Sequence, residues 1–107
     1  MSQAVELAAL LIDIECQLRH LHLWQDDRPE ASALKSSLPF CVDTLEFNQW
    51  LQFIFIERFR VILQADASLP EQCSIVPMAE EFFRGRAVNA GELIALLARF
   101  EQHLQND

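Results

Sequence analysis

Apolar residues recur along this chain at the spacing of an α-helix, and they are densest between residues 43 and 65. At about 100° per residue, the large side chains of this stretch share one face: Phe47, Trp50, Leu51, Ile54, Phe55, Val61 and Ile62. The opposite side is a narrow polar stripe with Phe53 in its middle. So wide an apolar face predicts a central helix, over about 43–65, that packs against several neighbours.

Two agreeing signals mark the start of this central helix. Asp43 is placed to act as the N-cap, and Glu46 follows three residues later, which is the spacing of a capping box. Val42 and Phe47 then occupy the positions of a hydrophobic staple. We therefore predict that the helix begins at Asp43, with Thr44 as the alternative cap.

A first helix is predicted from a cap at Ser2 to about Leu23. Its main apolar stripe contains Leu7, Leu11, Ile14, Leu18 and Leu21. A second, narrower apolar line runs along nearly the opposite side and contains Val5, Ala9, Ile12, Cys16 and Leu23. A helix with two apolar sides contacts two neighbours. The second neighbour is either a later part of this chain or another subunit.

Two shorter helices follow the central one. Pro77 at the first helical position predicts a third helix over 77–84, which Gly85 ends. Asn89 then predicts the cap of a last amphipathic helix that reaches about Gln105. No alternation typical of strands competes with these patterns. The prediction is an all-α four-helix bundle, with two long and two shorter helices, that forms a single domain over 1–107.

Composition narrows the classes of partner. The 107 residues carry eight basic and 16 acidic side chains, for a formal net charge of -8. Binding to phosphate backbones needs a basic surface, so we expect no direct contact with nucleic acid and favour a basic protein partner. The longest unbroken apolar run covers only 7–12, which predicts no membrane span.

The three cysteines, Cys16, Cys41 and Cys73, have no CxxC spacing and are odd in number. This pattern favours a reducing compartment with each cysteine as a small core residue. The N-terminus lacks the basic residues of a signal peptide, and we expect a cytoplasmic protein. Cys16 and His20 lie one helical turn apart and could hold a metal with His22 or His103. His20 lies on the polar side, however, and the other ligands must come from elsewhere, so we predict no metal and no cofactor.

Arg58 is the charge that most invites a binding role, because the α-helical period points it into the apolar face. A buried guanidinium needs a partner. One interpretation is a structural ion pair with Asp43 or Glu80. The other is an anion-binding or small-ligand site that Arg58 forms with Trp50 and Gln52, with Asp43 as a further candidate residue.

Two sets of apolar residues are candidates for protein interaction. Phe53 and Ile56 would form an apolar spot with a polar rim on the central helix. Val5, Ile12 and Cys16 would form a second surface on the first helix. The carboxylates are interpreted as solvated, and the chain contains no phosphate loop, HExxH motif or nucleophile elbow. No catalytic residue is predicted.

The chain also resembles a known family, the YqcC-like proteins, which are small bacterial proteins without an assigned function. The resemblance covers most of the chain from Trp24 onward. It rests on Pro39-Phe40, Asp43-Thr44, Trp50-Leu51-Gln52, Ile56, Arg58, Leu69-Pro70 and 77–80. It implies an all-α four-helix fold and a bacterial cytosolic protein. Some members are encoded beside a tRNA pseudouridine synthase, which implies a link to tRNA modification.

From these observations we predict a non-enzymatic helical adaptor that binds another protein, in a tRNA-modification context. A second copy of this chain is the alternative protein partner. A small-ligand or anion-binding bundle that uses Arg58 is the second hypothesis for the function, and an enzyme is the third.

Overall fold

The computed structural model describes residues 3–69 and 74–105, and four helices make up most of this part. We label them α1 (Gln3–His20), α2 (47–64), α3 (Ile75–Phe83) and α4 (Gly91–Gln105). Within α2, a π-helical segment, Leu51–Ile56, separates the α-helical parts Phe47–Trp50 and Glu57–Gln64. The described residues contain no strand, which confirms the prediction of an all-α four-helix bundle.

The core is formed by apolar side chains from all four helices. Helix α1 packs most extensively against α4, and α3 also packs against α4. Side chains with 0% exposure come from every helix: Leu7, Ile14, Leu18, Leu51, Ile56, Ile75, Ala79, Leu93, Leu97 and Phe100. Phe100 makes edge-on contacts with the rings of Phe55 and Phe59, at centroid distances of 5.0 and 4.9 Å. These aromatic contacts join α4 to α2.

Helix α1 ends at His20, a little before the predicted end near Leu23. His22 adopts the left-handed conformation with φ 62°. The N–H of Leu23 donates to the carbonyl of Leu18 at 2.8 Å, and that of His22 donates to Arg19 at 3.1 Å. This is the hydrogen-bond pattern of a Schellman motif. The predicted cap at Ser2 lies outside the described residues.

Helix α2 begins later than predicted, so the assignment of Asp43 as its cap is wrong. Glu46 is the N-cap, and its N–H donates to Gln49 Oε1 at 2.8 Å to close a capping box. The carboxylate of Asp43 instead accepts a hydrogen bond from the hydroxyl of Ser36. Short polar side chains form hydrogen bonds with nearby loop residues as readily as with helix ends. The side chain of Asp43 bonds to the loop before α2 and does not cap the helix.

The π-helical segment changes which side chains of α2 face the core. A π-helical turn holds one residue more than an α-helical turn because its hydrogen bonds reach five residues. Later positions are therefore rotated by about 100° from those of a regular α-helix. Val61, predicted on the core face, is 64% exposed. A single α-helical period therefore placed this residue wrongly.

Helix α3 begins at Ile75, so Pro77 is its third residue and not its first. Proline is tolerated there because the first N–H groups of a helix have no partner within it. The N–H groups of Ile75 and Val76 both donate to Glu101 Oε1 on α4, the latter at 3.0 Å. The cap of α3 therefore comes from a different helix, which no local pattern could reveal.

Gly85 turns the chain after α3, as the sequence predicts. Arg84, with φ -62° and ψ 123°, and Gly85, with φ 79°, form the centre of a type II turn. The N–H of Arg86 donates to the carbonyl of Phe83 at 3.1 Å and closes it. Helix α4 follows from Gly91.

The cysteines have different environments. Cys41 is buried, but Cys16 is exposed, so the prediction that each cysteine lies in the core is wrong for Cys16. It lies on the side of α1 that faces away from the core. Cys73 lies outside the described residues. No helix in the described part is both long and apolar enough to cross a bilayer.

Candidate functional site

Gln52, one of the residues predicted to bind a ligand, is engaged with the backbone that follows α1. Its Oε1 accepts from the N–H of Gln25 at 2.9 Å, and its Nε2 donates to the carbonyl of Gln25 at 2.8 Å. Only 5% of Gln52 is exposed. The side-chain amide of Gln52 thus pairs with both the backbone N–H and the backbone carbonyl of Gln25. These two bonds hold the segment 23–25, which we call the strap, against α2.

Two neighbouring side chains of α2 strengthen this attachment. Asn48 Nδ2 donates to the carbonyl of Leu23 at 3.1 Å, and Gln49 Nε2 donates to Gln25 Oε1 at 3.3 Å. Asn48 is 4% exposed, and its Oδ1 accepts no hydrogen bond from the described residues. The polar side chains at this end of α2 therefore stabilise the strap.

Arg58 does not face the core, so the predicted direction of its side chain is wrong. The residue is exposed, because the π-helical segment has rotated this part of α2. No carboxylate in residues 3–69 or 74–105 forms an ion pair with it. It lines a shallow cavity of about 320 Å3 with Phe53, Ile54, Glu57 and Val61.

The other two candidate ligand residues lie in different surroundings. Trp50 is half-buried in an aromatic cluster, where its ring centroid lies 4.7 Å from that of Phe40 and 5.6 Å from that of Phe55. Asp43 is exposed on the loop before α2. Arg58, Trp50, Gln52 and Asp43 thus occupy separate environments, and neither Trp50 nor Gln52 lines the cavity beside Arg58.

Phe53 and Ile56 are buried, so the prediction that they form an exposed apolar spot is wrong. Phe53 is 7% exposed and Ile56 is 0% exposed. The guanidinium of Arg28 lies 5.6 Å from the centre of the Phe53 ring and forms an ion pair with Glu57 at 2.7 Å. The connection between α1 and α2 therefore reaches over this side of α2.

The second apolar line of α1, in contrast, is open along the length of the helix. Ile12 is 58% exposed and Val5 is 55% exposed, and Ala9 and Cys16 are also exposed. Leu23, beyond the end of α1, is partly buried against the core. We define the α1 surface as Ala8, Ala9, Ile12 and Cys16. The sequence left open whether this line is covered, and the structure shows these residues exposed.

A groove of about 210 Å3 runs beside the α1 surface, between α1 and the C-terminal part of α2. Leu11 and Ile12 line it from α1, and Leu63 lines it from α2 together with Arg60 and Gln64. The groove extends the apolar character of the α1 surface onto a second helix. Sequence analysis missed the contribution of Leu63, because the change of helical phase within α2 hides which residues lie next to α1.

Glu15 ties α1 to α2 at this groove. Its carboxylate accepts from Arg60 Nη2 at 2.7 Å and from Arg19 Nε at 3.0 Å. The hydrogen bond from Arg60 lowers the pKa of Glu15 below its usual value; burial opposes this effect, and Arg19 adds to it. The charge of Arg60 is thus paired within the chain.

Comparison with known proteins places the chain in a family. The family model DUF446, described as tRNA pseudouridine synthase C, matches residues 6–103. An uncharacterised protein of Haemophilus influenzae is 37% identical over 71 residues, which cover 66% of this chain and 67% of that protein. The family match, over residues 6–103, reaches all four helices and includes the strap.

Two further similarities concern a longer protein and a solved structure. A Pectobacterium carotovorum protein named tRNA pseudouridine synthase C is 33% identical over 86 residues, which cover 80% of this chain but only 23% of that protein. The solution NMR structure of YqcC from Escherichia coli is 25% identical, has a TM-score of 0.87, and is matched over 100% of this chain and 92% of that one. The chain therefore belongs to the YqcC-like DUF446 family, as the resemblance in its sequence predicted.

Proposed function

We propose that this chain is a non-enzymatic interaction module that docks onto a tRNA pseudouridine synthase through the α1 surface. The observation that carries this proposal is the Pectobacterium protein. There, a segment similar to this chain forms 23% of a longer protein named tRNA pseudouridine synthase C. In that longer protein, the chain itself holds the two parts together at high effective concentration. If the same contact forms between two separate proteins, each of them needs a docking surface.

The α1 surface has the features that such a contact requires. Interface cores are depleted of charge and contain well-packed apolar side chains. Ile12 stands 58% exposed beside a groove whose apolar walls come from Leu11 and Leu63. The Glu15–Arg60 pair fixes the two helices that form the groove. The groove is thus a preformed recess between joined helices, and preformed sites lose less entropy on binding.

Charge supports a protein partner that itself binds tRNA. This chain has a net charge of -8, which opposes direct contact with phosphates. A protein that binds tRNA presents a basic surface. An acidic module is electrostatically complementary to such a protein, and complementarity raises the rate of association.

The proposal is tested with the separately purified tRNA pseudouridine synthase C of the same organism. Titration calorimetry should detect a complex with this chain in the micromolar range. Ile12→Asp should weaken it at least about tenfold, because a carboxylate would be buried in the interface. Val61→Asp is the matched control, since Val61 is also an exposed helical residue, at 64%. It should change the affinity less than about threefold.

Each result has a clear meaning. The absence of a complex with both proteins at about 100 μM would refute the association. A dissociation constant of that size corresponds to a binding free energy of only about 5.5 kcal/mol. Equal losses in both variants would refute the α1 surface as the contact. Sedimentation of this chain alone supplies the third measurement: a dimer that Ile12→Asp dissociates would assign the surface to a second copy instead.

A further inference from the structure

A second recess shares no residue with the α1 surface or its groove. It has a volume of about 290 Å3 and lies between the loop before α2, the start of α2, and α3. We call it the aromatic cleft. Its apolar walls are Phe40, Val42, Leu45, Phe47, Met78 and Phe82.

The walls of the aromatic cleft are fixed in place. Phe40 and Cys41 both adopt left-handed backbone conformations, with φ 59° and 48°. Each such non-glycine residue costs about 1–3 kcal/mol and persists only where its surroundings enforce it. The ring of Phe40 packs on Trp50 at 4.7 Å, and Phe47 packs on Phe82 at 5.8 Å. The cleft is therefore held open by a strained loop and an aromatic cluster.

The aromatic cleft is lined by one cationic and two anionic side chains, Arg86, Glu46 and Glu81. Arg86 lies with its guanidinium 3.9 Å from the centre of the Phe82 ring, and its Nε donates to the carbonyl of Phe82 at 2.7 Å. The arginine thus extends the wall as a stacked plane. Glu46 and Glu81 both line the cleft and are exposed. Glu81 pairs with Arg84 at 2.8 Å, but an ion pair this exposed stabilises little and is easily exchanged.

The size and composition of the cleft favour a peptide over a small molecule. At about 290 Å3, the cleft lies at the lower limit of small-molecule sites, which usually measure about 300–1,000 Å3. Phenylalanine, methionine and arginine are the residue types enriched where proteins bind one another. The carboxylates of Glu46 and Glu81 outnumber the guanidinium of Arg86 in the cleft. This excess of negative charge favours a peptide with a cationic side chain next to the apolar side chain that fills the cleft.

We infer that the aromatic cleft binds a peptide segment of another protein that inserts one or two large apolar side chains and places lysine or arginine next to them. The apolar anchor contacts Phe40, Phe47 and Met78, and the flanking cation replaces Arg84 as the partner of Glu81. The net charge of -8 draws basic segments toward the site. This function goes beyond the proposed docking through the α1 surface and does not depend on it.

Three synthetic hexapeptides test this inference. The first has leucine and phenylalanine flanked on each side by two lysines. The second replaces the lysines by glutamates, and the third replaces the two apolar residues by alanine. The chain contains two methionines, Met1 and Met78, so labelling methionine methyl groups for NMR gives a simple spectrum that reports on the cleft.

The first peptide should shift the Met78 methyl signal in a saturable manner with a dissociation constant below about 1 mM, and the other two should bind at least about tenfold more weakly. Glu81→Lys should weaken the first peptide about fivefold. Glu30→Lys, on an exposed loop, changes the net charge equally and should have less than about a twofold effect.

Other results would overturn the inference. They are the absence of a saturable Met78 shift, equal binding of the glutamate or alanine peptide, and equal effects of Glu81→Lys and Glu30→Lys. The last of these would mean that only the overall charge attracts the peptide. Because both substituted side chains are exposed, circular dichroism should show that both variants keep the fold.

Discussion

Replacing Gln52 by alanine tests the most specific polar contact of the fold. The side-chain amide pairs with the N–H and the carbonyl of Gln25, at 2.9 and 2.8 Å, and is 5% exposed. Alanine removes both partners at once. The backbone of Gln25 then loses its two hydrogen bonds to α2, while Asn48 still donates to the carbonyl of Leu23 and Gln49 to the side chain of Gln25.

The expected loss of stability follows from these two bonds. A buried donor or acceptor left without its partner costs about 1–3 kcal/mol. Gln25 itself is only partly buried, so water can reach its backbone in the variant and the lower part of this range applies. We expect Gln52→Ala to lower the free energy of unfolding by about 2–3 kcal/mol. At about 4 °C per kcal/mol for this chain length, Tm should fall by about 8–12 °C.

Urea denaturation measures this loss. Circular dichroism follows the helices, and fluorescence follows the two tryptophans, Trp24 and Trp50, which both pack against the core. Gln102→Ala is the matched control, since Gln102 is exposed on α4 and its side chain makes no hydrogen bond to the described residues. It should stay within about 0.5 kcal/mol of the wild type. A difference below 0.5 kcal/mol between the two variants, about the limit of significance, would refute the role of Gln52.

A second substitution separates hydrogen bonding from packing. Gln52→Glu keeps the shape, but its carboxylate cannot donate to the carbonyl of Gln25. When protonated, the new carboxyl group offers one acceptor and one donor, as the amide does. The variant should therefore approach the wild type in stability as the pH falls below about 5. A deficit that does not depend on pH would indicate that packing, and not the pair of bonds, is what Gln52 contributes.

Three further predictions concern caps, pH and RNA. Glu46→Ala should cost about 1 kcal/mol of stability in urea melts and more than Asp43→Ala, because Glu46 is the observed cap; the reverse order would contradict the capping box. The pKa of Glu15 is lowered in the folded state, so its contribution is present at neutral pH and is lost as the pH falls through the folded pKa. The difference between wild type and Glu15→Gln, about 1 kcal/mol at pH 7, should shrink as the pH falls below the ordinary glutamate value of 4.5. The chain alone should bind tRNA weakly, and a nanomolar gel-shift affinity at about 0.15 M salt would contradict the argument from its charge.

Sequence analysis predicted the buried face correctly in helices that keep the α-helical period along their whole length. The leucine stripe of α1 and the apolar face of α4 both lie in the core, because each helix is regular and packs on one side. The apolar line with Ile12 was identified for the same reason. Its exposure could not be decided from the sequence, because it depends on where the connection after α1 runs.

Failures occurred where distant residues determine local structure. The cap of α3 comes from Glu101, 26 residues after Ile75, so Pro77 was given the wrong position. Asp43 resembled a cap, but Ser36 holds its carboxylate. The direction of Arg58 depends on the extra residue in the π-helical segment. Such a segment leaves no clear signal in the hydrophobic pattern.

The course of the connection between α1 and α2 explains why the α1 surface remains open. Directly after α1, Gln52 fixes Gln25 onto α2 through both backbone groups. Three residues later, Arg28 forms an ion pair with Glu57 at 2.7 Å and lies near the ring of Phe53. The connection is thus committed to one side of α2, and it buries the apolar residues there. The same contacts direct it away from the outer side of α1, where Ile12 stays exposed and available to a partner.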